Sequence, residues 1–280
     1  MSGHPEASSG KAAGPLASPA PWNLVAEGYE QVTRKFLEAF SRSGLAMLPY
    51  GGETRVIDVA CGPGTTALLI ASTVRSIACV DFSAAMLDQL RRNIAAARAT
   101  NVEIVEADGQ ALPFQDNSFD IGTSMFGLMF FRDRRRGFAE LFRVLAPGGH
   151  ALVSSWAPAE QSPLMRVVFA ALQPDGAAAP EAGRLSGLED RVGFEAELRE
   201  AGFTNIRVEA VTHGLAVESV DQLWGDMVDG MAPITLMKHH ASQAEWSMTE
   251  ERALKSLRVA LPELPTTLSS TAYVAVARKG

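Results

Sequence analysis

A glycine-rich run stands between a short strand pattern and a helix pattern early in the chain. It reads DVACGPGTT over residues 58–66, following the predicted strand Thr54–Val59 and opening the predicted helix Thr65–Val74. Glycines in such a turn let the backbone approach a ligand closely, and the first N–H groups of the helix are free to bind it. This unit predicts an open α/β sheet with a ligand site at the carboxyl ends of its strands.

Strands and helices alternate after this unit, which predicts a parallel sheet with helices on both faces. A helix over Ser83–Arg98, with Ser83 as its N-cap, and a helix over Asp133–Leu145, ended by Pro147 and two glycines, separate later strands. The predicted fold is α/β, a doubly wound and mostly parallel seven-stranded sheet. Its strands are Thr54–Val59, Ser76–Val80, Val102–Val105, Phe119–Ser124, Ala151–Ser154, Asn205–Val211 and Ala272–Ala277.

The segments around the sheet pattern predict the domain organisation. Residues 1–21 are rich in Ser, Gly, Ala and Pro and predict a flexible arm, and residues 22–280 form one domain. Residues 22–48 predict a helical cap, with a helix from Trp22 to Met47. A Pro-, Gly- and Ala-rich stretch, Gln173–Arg184, predicts a loop, and Phe194–Ala201 a helix. Residues 219–268 are mostly helical in pattern and predict a lid over the site.

Three acidic residues follow the first three predicted strands. Asp58 ends the first strand, Asp81 ends the second, and Asp108 comes just after the third. Because the carboxyl ends of parallel strands lie along one edge of the sheet, these carboxylates are expected near one another. A carboxylate at the position of Asp81 accepts hydrogen bonds from the two hydroxyls of a ribose.

These residues belong to five motifs in a fixed order. They are VIDVACGPGT (56–65), DFSAAML (81–87), ADGQALPF (107–114), NSFD (117–120) and LFRVLAPGG (141–149). Together they resemble the motifs of class I S-adenosylmethionine-dependent methyltransferases, in the branch that includes quinone-biosynthesis and natural-product enzymes. The resemblance covers about residues 22–156, and Ala60 stands where many relatives have a glycine. It implies a Rossmann-like methyltransferase fold and S-adenosyl-L-methionine as cofactor.

The resemblance also implies roles for individual residues. Asp58 and the loop from Ala60 through Gly62 to Gly64 would hold the methionine portion, and Asp81 the ribose. The adenine would lie against Phe82 and Met86, with Asp108, Gly109 and Gln110 at its amino group. Ser124 and Met125 would line the cleft near the sulfonium, and Tyr29 would close over the cofactor.

Composition and charge limit the kinds of partner and the location expected for this chain. The chain has 280 residues, 25 basic against 32 acidic side chains and a net charge of -7, so nucleic acid is not expected as a partner. No apolar run approaches the roughly 20 residues of a membrane-spanning helix. The two cysteines fit no metal-ligand pattern and no disulfide framework, so no metal and a cytoplasmic location are predicted.

The predicted reaction is methyl transfer to a small, hydrophobic or aromatic metabolite by in-line displacement. The sequence does not identify a catalytic base, and His213, His239 and His240 are weak candidates. The acceptor atom, the substrate and the oligomeric state stay open. Two alternatives are a nicotinamide-dependent oxidoreductase, because GPGTTA (62–67) fits a dinucleotide-binding fingerprint, and an S-adenosylmethionine-binding protein without transferase activity.

Overall fold

A computed structural model describes residues 14–173 and 188–280 of the chain. The predicted loop Gln173–Arg184 lies outside the described residues except for Gln173, and so do residues 1–13 of the predicted arm. The seven strands are β1 (Arg55–Val59), β2 (Ser76–Asp81), β3 (Val102–Glu106), β4 (Phe119–Met125), β5 (Leu145–Trp156), β6 (Phe203–Val217) and β7 (Thr266–Lys279).

Helices cover both faces of this sheet and extend from one end of it. They are α1 (Pro19–Gly28), α2 (Arg34–Leu45), α3 (Thr65–Ile70), α4 (Ala84–Ala97), α5 (Arg134–Val144), α6 (Pro163–Leu172), α7 (Arg191–Glu200), α8 (Val220–Gly230), α9 (Ala232–His240) and α10 (Gln243–Ala260). The predicted cap of α4 is confirmed, since the Ser83 side chain accepts a hydrogen bond from the Met86 N–H.

The strand order is β3-β2-β1-β4-β5-β7-β6. Strands β1 to β5 are parallel, and β7 runs antiparallel between β5 and β6. The chain builds outward from β1 to β3, then returns to the other side of β1 with β4. In an open α/β sheet this reversal between two neighbouring strands leaves a crevice outside their carboxyl ends. The fold prediction is confirmed, and the crevice lies beyond β1 and β4.

The N-terminal helix differs from the prediction. Helix α1 begins at Pro19, inside the stretch predicted as a flexible arm, and a short 3₁₀ turn over Pro15–Ala17 precedes it. A π-helical turn, Tyr29–Thr33, interrupts the single helix predicted over Trp22–Met47. Pro19 suits the first helical position because a proline lacks only an N–H that would have no partner there.

Several boundaries also differ. Helix α3 ends at Ile70, short of the predicted Val74, and β6 and β7 extend beyond their predicted ends. Helix α5 ends at Val144, and β5 begins at once, so the Pro-Gly-Gly stop signal lies inside the strand. Gly148 has φ +81° there, and the pairing of β4 with β5 shifts register beside it. The glycines thus shape a strand irregularity rather than a loop.

Most of residues 219–268, the segment predicted as a lid, form helices α8 to α10 with a core of their own, and its last residues belong to β7. Helices α8 and α10 bury Trp224, Met227 and Leu257 together with part of α6, and α8 and α9 pack against α1 and the π-turn. Within residues 14–173 and 188–280, no helix has the length and apolar character needed to span a membrane.

Candidate cofactor-binding site

Two adjoining cavities open at the carboxyl ends of β1, β2 and β4. The larger is lined by Ala17, Trp22, Tyr29, Ala60, Gly62, Asp81, Phe82, Met86, Ala107, Asp108, Gly109, Gln110, Met125, Phe126, Gly127, Phe130, Phe131 and Arg132. The smaller, of about 320 Å³, is lined by Tyr29, Leu37, Ser41, Asp58, Ala60, Cys61, Gly62, Thr65, Thr66, Met125 and Phe126. The shared residues show that the two form one continuous site.

The loop between β1 and α3 turns sharply through three left-handed residues. Ala60, Gly62 and Gly64 have φ angles of +56°, +53° and +85°. Ala60 is the one of the three that carries a side chain, and this conformation costs an L-residue roughly 1–2 kcal/mol. The loop is held in place by the Cys61 N–H, which donates to the Val80 carbonyl at 3.0 Å.

The side chain of Ala60 is packed against Gly127, in the turn after β4. A Cβ on Gly127 would lie 2.5 Å from the Ala60 Cβ. We therefore expect Gly127→Ala to lower the free energy of unfolding by about 2 kcal/mol through overpacking. In an Ala60→Gly background, where that contact is removed, the same substitution should cost about 1 kcal/mol less. Urea unfolding of the four proteins measures the difference, and equal costs in both backgrounds would contradict the contact.

Asp58 is buried beside the smaller cavity, and only one of its two carboxylate oxygens accepts a hydrogen bond from a described residue. Its Oδ1 accepts a hydrogen bond from the Thr123 hydroxyl at 2.6 Å, whereas its Oδ2 has no hydrogen-bond partner among the described residues. Burial raises the pKa of Asp58 from 3.8 to about 7, although the Thr123 hydroxyl and the nearby backbone N–H of Ala67 act in the opposite direction and lower it. The charged form of such a buried carboxylate is stabilised by a nearby cation.

Asp81 lies at the end of β2 and holds the loops on either side. Its Oδ2 accepts from the Gly62 N–H at 2.8 Å and its Oδ1 from the Ser83 N–H at 2.9 Å. Burial raises the pKa of Asp81 to about 6, against these two hydrogen bonds. A carboxylate has about four acceptor positions, so each oxygen retains one for a ligand hydroxyl.

The segment after β3 forms the far wall of the larger cavity. Asp108 is exposed, and its carboxylate accepts from both the backbone and the side chain of Gln110. Gly109 is buried, and a Cβ there would lie 2.6 Å from the Phe131 ring and 2.8 Å from Val59. Only glycine permits this wall to pack so closely behind the cavity.

The first described residues cover the site. Trp22 packs its ring 5.1 Å from Phe130 and donates its ring N–H to the Leu16 carbonyl at 2.9 Å. Tyr29 lines both cavities. Burial and the negative Asp81 raise the pKa of the Tyr29 hydroxyl well above its ordinary value, so it stays a hydrogen-bond donor. Asn23 ties this cover to α4 by accepting from the Ser83 hydroxyl at 2.7 Å.

The structure thus brings most of the predicted cofactor residues together and places two behind the cavity walls. Gly64 caps α3 against Leu90, and Ser124 is buried under the turn at Gly127, with no hydrogen-bond partner for its hydroxyl among the described residues. The residues that line a cavity are Tyr29, Asp58, Ala60, Gly62, Asp81, Phe82, Met86, Asp108, Gly109, Gln110 and Met125.

None of the three candidate histidines lines either cavity. His213, on β6, bonds through its Nε2 to the Ser43 hydroxyl at 3.0 Å and packs its ring edge-to-face 4.8 Å from Phe40. His239 and His240 are exposed at the end of α9. Their placement argues against a role as base at this site.

Sequence reasoning missed the aromatic residues that follow β4. Phe126, Phe130 and Phe131 line the larger cavity, and Phe126 also lines the smaller one, with its ring 4.3 Å from Trp156. Phe126 has φ +58°, an unusual value for a bulky residue and one typical of functional loops. Their position just after Met125, at a strand end next to β1, is the signal that could have identified them.

The chain is similar to known methyltransferases. A family model described as a methyltransferase domain matches residues 56–149. A demethylmenaquinone methyltransferase of Clavibacter sepedonicus is 42% identical over 108 residues, which cover 39% of this chain and 43% of that protein. One of Thermus thermophilus is 35% identical over 176 residues, covering 58% of this chain and 79% of that protein.

A solved structure supports the same fold. The YcgJ protein of Bacillus subtilis aligns with a TM-score of 0.54 at 19% identity, over 87% of this chain and 97% of that one. The predicted fold is confirmed. The family model and both relatives decide against the oxidoreductase alternative. Because the Thermus thermophilus relative is matched over most of its length, the chain belongs to the family of S-adenosylmethionine-dependent methyltransferases, whose cofactor is the one predicted.

Proposed function

We propose that this chain transfers the methyl group of S-adenosylmethionine to a small, hydrophobic or aromatic acceptor by in-line displacement. The observation that carries the proposal is buried Asp58, whose Oδ2 has no hydrogen-bond partner among the described residues, on a continuous site that also presents Asp81 and several aromatic side chains. A buried carboxylate with an unpaired oxygen suits the α-ammonium group at the amino-acid end of this cofactor, and the aromatic walls suit the adenine and the acceptor.

The other residues fit the remaining parts of the cofactor. Asp81 has acceptor positions left for two ribose hydroxyls, and Phe82 and Met86 offer an apolar wall for the adenine. When bound, the cofactor supplies a methyl group bonded to a positively charged sulfur. This sulfur is a good leaving group. Asp58 and Asp81 would hold it, while Trp22 and Tyr29 would exclude water from the cavity.

The lining residues supply alignment rather than a base. Among the described residues around the two cavities, the titratable side chains are Tyr29, Asp58, Cys61, Asp81, Asp108 and Arg132. Burial raises the pKa values of Tyr29 and Cys61, so both stay protonated. We propose that the acceptor loses its proton to solvent before it enters the cavity, as acidic phenols and acidic carbon nucleophiles do.

The aromatic walls favour a flat acceptor. Phe126 and Phe130 line the larger cavity. The Trp156 ring packs against Phe126, and the Phe36 ring stacks on Trp156. Both relatives described above are named for demethylmenaquinone, which has a flat ring. Rings of this kind pack against aromatic side chains with their faces offset or edge to face.

The direct test is a methyl-transfer assay with S-adenosylmethionine labelled in its methyl group. The acceptors are a demethylated naphthohydroquinone, simple phenols and catechols, and aliphatic amines as a polar comparison. We expect label to enter an aromatic acceptor, with the position of the new methyl fixed by mass spectrometry and NMR. Transfer only to amines would contradict the proposed acceptor class, and failure to bind S-adenosylmethionine would contradict the proposed function.

Cofactor binding should depend on pH through Asp58. With a pKa of about 7, this carboxyl is mostly neutral at pH 6 and mostly charged at pH 7.5. Because the charged form attracts the cationic cofactor, we expect the affinity for S-adenosylmethionine to rise roughly tenfold between these values, with release of protons. Calorimetric titration in buffers of different ionisation enthalpy measures both quantities.

Stability of the unliganded protein should change in the opposite direction. Between about pH 4 and pH 7 the folded protein keeps a proton on Asp58 that the unfolded chain has lost, so the free energy of unfolding falls as pH rises. Asp58→Asn serves as the control, since it should bind the cofactor weakly and remove the part of both pH dependences that belongs to Asp58, leaving the smaller part from Asp81. An unchanged pH dependence in that variant would assign the effect to another group.

A further inference from the structure

The π-turn over Tyr29–Thr33 sets the direction of Tyr29. The Arg34 N–H donates to the Tyr29 carbonyl five residues earlier, so the helix contains one residue more than an α-helical turn. Such an insertion rotates the preceding helix face by about 100° relative to the following one. Tyr29 is the first residue of the turn, and it lines both cavities.

The C-terminal end of α8 packs directly onto this turn. The Thr33 hydroxyl donates to the Gly230 carbonyl at 2.6 Å, across 197 residues of sequence. A Cβ on Gly28 would lie 2.0 Å from the Asp229 carbonyl oxygen, and a Cβ on Gly230 would lie 2.6 Å from the Thr33 hydroxyl oxygen. We call these four residues, Gly28, Thr33, Asp229 and Gly230, the glycine seam.

The seam is a route by which the helical block over residues 219–268 reaches the cofactor site. No described residue of that block lines either cavity. Its contacts with the N-terminal helices run from α8 to the π-turn and from α8 and α9 to α1. The contact with the π-turn adjoins Tyr29 along the same turn of helix, and Ala232 of α9 belongs to the same apolar cluster as Tyr29.

We propose that Thr33 and Gly230 are positioning residues, which hold the π-turn so that Tyr29 faces the cofactor. The helical block then controls cofactor binding from outside the cavity, through one hydrogen bond and two close backbone approaches. This inference rests on the proposed function, because it assumes that S-adenosylmethionine occupies the two cavities.

The test is a double-mutant cycle between Thr33 and Tyr29, with the dissociation constant of S-adenosylhomocysteine measured by calorimetry. Thr33→Val keeps the shape of the side chain and removes the hydroxyl. We expect it to weaken binding about fivefold, the effect of one hydrogen bond. Thr33→Ser restores the hydroxyl and should restore affinity. In a Tyr29→Ala background, Thr33→Val should weaken binding no further, because the residue it positions is absent.

Two further variants make the result specific. Gly230→Ala alters the seam from its α8 side and should give the same pattern of dissociation constants as Thr33→Val. Thr235→Val is the matched control, because the Thr235 hydroxyl donates to the Val228 carbonyl at 2.8 Å near the same helix junction. It should leave the dissociation constant unchanged.

The outcomes separate this inference from the proposed function. If wild-type protein binds the adenosyl compound but Thr33→Val weakens binding equally with and without Tyr29, the seam has a structural role only and the inference is overturned. Absence of binding to the wild-type protein would instead overturn the proposed function, and the inference with it.

Discussion

Replacing Gly64 with alanine is expected to lower the free energy of unfolding by about 3–4 kcal/mol, from backbone strain and overpacking together. Gly64 has φ +85°, where an L-residue is strained, and a Cβ there would lie 2.4 Å from Leu90 Cδ1 in the core. Because small domains are stable by only about 5–15 kcal/mol, this loss should move the urea midpoint strongly.

Two other glycines separate the two causes. Gly62 has φ +53° but no atom nearer than Met86 Sδ at 4.0 Å, so Gly62→Ala should show strain alone, about 1–2 kcal/mol. Gly51 has neither a positive φ nor any atom within 4 Å, and Gly51→Ala should change stability by less than about 0.5 kcal/mol. Similar losses at all three positions would contradict the conformation of this loop.

Asp81→Ala is expected to weaken S-adenosylmethionine binding by about 3 kcal/mol or more, roughly a hundredfold in the dissociation constant. The change removes the acceptors for two ribose hydroxyls. It also releases the Gly62 and Ser83 N–H groups, which Asp81 holds on the two loops of the site. Calorimetric titration measures the affinity, and circular dichroism checks that the variant is folded.

A second carboxylate on the neighbouring helix provides the control. Asp88 is exposed on α4 and pairs with Arg91, so Asp88→Ala alters the net charge equally without touching either cavity. We expect its affinity for the cofactor to match that of the wild-type protein within about twofold, as for an exposed ion pair. If Asp81→Ala also binds as wild type does, the assignment of the ribose to this carboxylate is wrong.

The part of the site that could be predicted from sequence depends on local patterns. The loop at Gly62, with Asp58 before it and Asp81 after the next strand, lies within two strand–helix units. Parallel strands bring their carboxyl ends together whatever the rest of the chain does. Once the strands are recognised in the sequence, these residues can therefore be placed at one edge of the sheet.

The parts that were missed depend on contacts between distant segments. The direction of Tyr29 is set by a π-turn that packs against α8, and neither periodicity nor composition indicates such a turn. The placement of His213 depends on strand order, because β7 separates β6 from β5 and leaves β6 at the sheet edge. Phe126 reaches the site because its backbone has a left-handed angle, which is unusual for a bulky side chain and is not predicted from the sequence.

The strand order also bears on synthesis of the protein. Strand β7 leaves the ribosome after the other six strands of the described sheet, yet its place is between β5 and β6. Until residues 266–279 emerge, the 15 residues of β6 have no neighbour in the sheet, and β5 presents an open edge. Unpaired strand edges favour association between chains. A nascent chain of this protein therefore depends on β7 for protection against aggregation, after the parallel part with the cofactor loops has already been made.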